Sequence, residues 1–180
     1  EVCGSTIMDP ALECECDKEL EVETMRQKTA LWGTAVAGLV TVANLAHGVA
    51  HAEQQVPLAA WQWVYVIFVI FLAPIAAAIL LWTRFRQVGA WLFVASMAGS
   101  FVFGLAYHFL VPGADNVFVL HPGAWWLTFQ LSAGLVALAD GIGCLVGIQL
   151  LNRFSHSSAE VARTASVPAG SRRGPRLGPR

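Results

Sequence analysis

Four apolar stretches dominate this 180-residue chain, at roughly 30–51, 60–82, 88–111 and 124–151. Each is long enough to cross a hydrocarbon core of about 30 Å, which takes ~20 helical residues. A backbone exposed to lipid must satisfy its own hydrogen bonds, and segments of this length are not barrel strands, so each reads as a helix. The links between them are short, which makes consecutive helices antiparallel neighbours. The expected fold is an all-α integral membrane protein, an up-down-up-down four-transmembrane-helix bundle. Composition agrees: 56% of residues are hydrophobic and 13% charged, against about 25% charged in ordinary soluble domains.

The charges lie mostly outside these stretches and set an orientation. Lys18, Arg26 and Lys28 precede helix 1, and Arg84 and Arg86 join helices 2 and 3. Arg153, Arg163, Arg172, Arg173, Arg176 and Arg180 follow helix 4. With four spans all eleven basic residues fall on one side, which the positive-inside rule makes cytoplasmic. Both termini are then inside, and the loops at 52–59 and 112–123 face out. Trp61, Trp63, Trp125 and Trp126 mark the outer interface and Trp32, Trp82 and Trp91 the inner one, as aromatic belts do. The expected setting is a multi-pass protein of a bacterial inner membrane or a plasma membrane. Its partners are the lipid bilayer and either further copies of itself or the other subunits of a membrane complex. Small residues such as Ala76, Ala77, Ala78, Gly141, Gly143 and Gly147 offer close-packing faces.

Residues 1–29 read as an acidic cytoplasmic tail that becomes helical near Met25, without the basic and apolar regions of a signal peptide. Residues 152–180 read as a basic disordered tail, rich in Ser, Arg, Pro and Gly from 155 onward. Cys14 and Cys16 form a CxC pair able to hold a soft ion, although two free thiols are the simpler reading in a reducing cytoplasm. No basic patch interleaved with aromatics occurs, so nucleic acid is not an expected partner. A phosphate loop, a dinucleotide fingerprint and a Ser-His-Asp signature are likewise missing.

The candidate chemistry sits on the outer side. His47 and His51, four residues apart, share a helical face in the last turns of helix 1. His108 ends helix 3, and Asp115 and His121 follow in the outer loop. An i,i+4 histidine pair gives one ion two ligands from one helix. Imidazole with carboxylate suits zinc, copper or iron. The expected site is a transition metal ion, with copper or zinc favoured over iron, held by His47, His51, His108, Asp115 and His121. The chain would then be an oxidative membrane enzyme or a subunit of one. Three alternatives remain open: a small metal-ion or proton-coupled transporter subunit, a haem b electron carrier with axial histidines, and a structural subunit of a larger complex.

Asp140 forms a second polar feature, deep in helix 4, with Cys144 one turn on and Asn44 of helix 1 at comparable depth. A carboxyl in hydrocarbon costs about 2.5 kcal/mol or more, so it must face inward and find a partner. Two readings follow: an intramembrane relay of Asp140, Asn44 and Cys144, or a structural hydrogen bond from Asn44 to Asp140, with Gln130, Ser96 and Ser100 available to either.

Overall fold

The computed structural model describes residues 10–165, with side chains for residues 17 and 20–155. The side chains of Cys14, Cys16, His156 and Arg163, and all of residues 166–180, lie outside this description. Four long helices account for nearly all of the described chain, with no strand among the described residues: α1 (Pro10–Glu53), α2 (Ala60–Leu81), α3 (Arg86–Leu110) and α4 (Trp126–Ala165). All four contain stretches long and apolar enough to span a membrane.

The outer two helices reach further than the apolar stretches. α1 starts at Pro10, not near Met25. Proline is well placed in the first turn of a helix, and the Ala, Leu, Glu, Lys and Met that follow are strong helix formers. α4 runs on to Ala165, through a segment that contains no Gly or Pro between Gly147 and Pro168. The first part of the expected disordered tail is therefore helical.

Specific contacts make neighbouring helices antiparallel. Trp82 Nε1 donates to Thr34 Oγ1 at 2.9 Å, between α2 and α1. Ser100 of α3 meets Asp140 of α4, and Gln87 Nε2 reaches Ser155 Oγ at 3.1 Å. Arg153 and His47 join α4 to opposite ends of α1, through Thr29 and Ser132 respectively. Each helix packs on the next and α4 closes on α1.

Small residues lie at the helix contacts beside a few large ones such as Phe93 and Met97, and many large apolar side chains point away. Ala37, Ala77, Ala90 and Ala133 are buried, whereas Leu39, Val42, Phe68, Ile79, Val102, Leu131, Leu138 and Leu145 are exposed. At Gly89 a Cβ would come within 2.8 Å of Leu80 Cβ and 3.1 Å of the Ala77 carbonyl oxygen, so only glycine permits the α2–α3 approach.

Two helices contain π-helical stretches, Val66–Leu72 in α2 and Ala106–Leu110 in α3. Pro74 accounts for the first. It has no amide to offer Ile70, and its ring crowds that carbonyl. The helix widens just before it, and Ala73 N–H bonds to the Phe68 carbonyl. The second ends at Val111, held extended by Pro112. Such widened turns recur at functional sites.

Candidate metal centre

The two ends of the chain's polar chemistry meet where α1, α3, α4 and the 112–125 loop converge. His47 and His51 are buried on α1, four residues apart, and His108 is buried within the π turn of α3. One ring nitrogen from each of the three lies within 4.8 Å of the others. The rings of His47 and His108 are perpendicular, with centroids 4.7 Å apart, as are those of His47 and His51. Phe129, fully buried on α4, packs against all three. These three buried histidines could bind a metal ion.

Hydrogen bonds and close polar contacts surround the three rings. His108 Nδ1 lies 3.0 Å from the main-chain oxygen of Asp115 and must carry the proton, which leaves Nε2 with its lone pair. That Nε2 faces His47 Nε2 at 3.0 Å. His47 Nδ1 lies 2.9 Å from Ser132 Oγ, which can also donate to the Phe129 carbonyl at 3.0 Å. With Ser132 as acceptor, His47 Nδ1 carries the proton and its Nε2 is bare; with Ser132 as donor, His47 Nε2 donates to His108 Nε2. His51 Nε2 lies 3.2 Å from Asp115 Oδ1, while its Nδ1 is buried without a hydrogen-bond partner among the described residues. His47 and His108 thus each have Nδ1 held by the protein and Nε2 facing the other ring, while His51 Nε2 approaches Asp115 without a hydrogen bond.

Asp115 stands behind two of the rings. Its Oδ1 is 3.2 Å from His51 Nε2 and 3.3 Å from His108 Nδ1, between them and poorly aligned with either, and neither carboxylate oxygen has a hydrogen-bond partner among the described residues. The loop that holds it is tightly built. Asn116 Nδ2 donates to the Val111 carbonyl, and Asn116 Oδ1 accepts from the Phe118 amide. Val117 N–H returns to the His108 carbonyl at 2.9 Å, and Gln130 Nε2 donates to the Val117 carbonyl at 2.7 Å. Asp115 and Asn116 are consequently buried although they lie in a loop.

The other expected residues are placed differently. His121 is exposed and stands apart from the group; its main-chain oxygen accepts from Gln54 Nε2 at 2.9 Å. Asp140 is fully buried, and its partner is Ser100 of α3 rather than Asn44 of α1. Asn44 instead donates to the Val40 carbonyl of its own helix at 3.0 Å. Cys144 is a free, half-buried thiol one turn beyond Asp140. Ser132, Phe129 and Asn116 were not singled out by sequence. Ser132 and Phe129 belong to the first turns of α4, where neither periodicity nor a motif distinguishes them.

A cavity of about 170 Å³ opens beside the histidines. His47, His51, His108 and Asp115 form its polar end, and Val66, Ile70, Phe71 and Phe103 contribute apolar wall. Asn44 and Ser100 also line it, so it runs from the histidines toward the Ser100–Asp140 pair. Set against protein-family models, curated proteins and solved structures, the chain matches none.

Proposed function

We propose that this chain is an integral membrane protein that holds one transition metal ion, copper or zinc, between His47, His51 and His108. We propose further that it serves as an oxidative membrane enzyme or as a subunit of one. The observation that carries the reading is the set of inward nitrogens. Two ring nitrogens face each other at 3.0 Å with at most one proton to share between them, and a third buried ring nitrogen, His51 Nδ1, has no partner among the described residues. An unsatisfied buried polar group costs about 1–3 kcal/mol. A single ion would satisfy all three.

The geometry fits an ion. Metal–imidazole bonds of about 2.0–2.1 Å at angles of 90–109° bring ligand nitrogens to about 2.9–3.4 Å from one another. The His47–His108 pair already meets this at 3.0 Å, and the third ring's nitrogen, within 4.8 Å of the other two, would have to move closer to share the ion. Axial ligands of a haem would lie on opposite faces of a macrocycle, and rings in edge contact leave no room for one. The Asp115 carboxylate would orient His51 and His108 and offset part of the ion's charge, as carboxylates behind metal-bound histidines do. Three protein ligands leave a fourth position open, the pattern of catalytic rather than structural sites, and here that position adjoins an apolar cavity.

Membrane insertion draws support from the outward-facing Leu, Val, Ile and Phe side chains and from exposed tryptophans near both ends of the bundle. The distribution of basic residues supports a topology with both termini in the cytoplasm and the histidines at the outer face. The test is purification in detergent, with metal quantification and an absorption spectrum. The expected result is about one copper or zinc ion per chain, lost in His47→Ala and His108→Ala, without a Soret band. A folded protein that takes up neither metal overturns the proposal.

A further inference from the structure

α1 and α2 pack closely along Ala73–Leu81, far less along Val66–Leu72, and hardly at all along Ala60–Tyr65. The widened turn before Pro74 marks where the two helices part. The cavity beside the histidines fills the resulting wedge. Gly48 lies at its edge on α1, on the lipid-facing side of the bundle, and a Cβ built there meets no atom within 4 Å. Trp63 and Val66 face it from α2. Gly48, Trp63 and Val66 thus line the same cavity as His47 and His108.

We propose that this cavity is a lateral binding site for a small apolar molecule taken directly from the hydrocarbon layer. The inference deepens the metal-site reading and rests on it for its purpose, since it places the substrate against the open coordination position. Size and lining set the chemical class. An apolar cavity of about 150 Å³ accepts benzene, so 170 Å³ suits a hydrocarbon or simple aromatic molecule with about six to eight heavy atoms. A charged or strongly hydrated ligand would have to shed its water into walls of Val, Ile and Phe, which is costly. The opening also lacks any charged side chain: the cavity's only ionisable lining is His47, His51, His108 and Asp115.

Fluorobenzene is a suitable probe, with fluorine NMR as the readout on the full chain in detergent. Wild-type protein is expected to show saturable binding, displaced by unlabelled benzene. Gly48→Leu adds an apolar side chain at the portal, where a Cβ meets no atom within 4 Å, and is expected to weaken binding at least tenfold while the metal content stays unchanged. Gly104→Ala adds one methyl to the same cavity, 3.9 Å from His108 Cδ2, and is expected to weaken it several-fold; it serves if Gly48→Leu does not fold. Fluorobenzene that only partitions into detergent, or binds the glycine variants as tightly as wild type, overturns the inference. His47→Ala separates the two readings, because it removes a metal ligand and leaves the apolar walls. Saturable binding in a protein that takes up no metal sinks the metal site and keeps the cavity. Stoichiometric metal without saturable binding does the reverse.

Discussion

His47 Nε2 and His108 Nε2 meet at 3.0 Å across the boundary between the first and third helices, sixty-one residues apart in sequence. Each ring is held from behind, His47 by Ser132 and His108 by the Asp115 carbonyl. Replacing either histidine by alanine is expected to abolish stoichiometric metal binding. His121→Ala should leave it unchanged, because His121 stands outside the group. Elemental analysis of the three purified variants checks this, and metal loss in His121→Ala would count against the assignment.

Asp115 acts through the rings it touches. Asp115→Asn keeps the shape and removes the charge, so metal affinity is expected to fall by about 10–100-fold without being lost, the range found for residues behind metal ligands. Competition with a chelator of known affinity measures it. Complete loss would instead make Asp115 a direct ligand.

Metal binding should depend on pH with a definite sign. An imidazole that takes up a proton loses the lone pair it would give the ion, so protons compete with the metal. Affinity is expected to rise with pH and to fall on acidification, with up to three protons taken up per ion released. Dialysis at graded pH followed by metal quantification reads this directly, and a flat profile would argue against histidine ligation.

The Ser100–Asp140 contact is a separate, interhelical element. Ser100→Ala removes the hydroxyl that serves Asp140 Oδ2, while Oδ1 already lacks a partner among the described residues. Hydrogen bonds between membrane helices average about 0.6 kcal/mol and reach about 1.7. Ser100→Ala is expected to lower stability by about 1 kcal/mol in detergent unfolding and to leave metal content unchanged. An Asp140→Asn variant that loses the metal would tie the two features together instead.

Gly89 and Gly38 offer a paired test of packing. A methyl group at Gly89 runs into Leu80 and the Ala77 carbonyl, whereas at Gly38 it meets nothing within 4 Å. Gly89→Ala is expected to destabilise by about 1–3 kcal/mol, as overpacking does, and Gly38→Ala to be neutral. Thermal unfolding of both checks the arrangement of α2 against α3.

What the sequence determined by itself was local and periodic. Hydrophobic length gave the four helices to within a few residues at most of their apolar ends, because a long apolar run has few other ways to satisfy its backbone. The i,i+4 spacing put His47 and His51 on one face, since helical geometry alone fixes that. The polar helical extensions of α1 and α4 were missed because no hydrophobic period marks them.

Only the tertiary structure decided which polar groups meet. Asp115 and His121 lie six residues apart in one loop and looked equivalent, yet the Asn116 and Val117 hydrogen bonds bury one and leave the other exposed. Asp140 found Ser100 rather than Asn44 because the α3–α4 contact presents a serine at its depth, while Asn44 bonds to its own helix. Ser132 and Phe129 become part of the site through the crossing of α4 on α1, and the cavity through the parting of α1 and α2. Each of these depends on how two distant segments are set against one another, which no local pattern encodes.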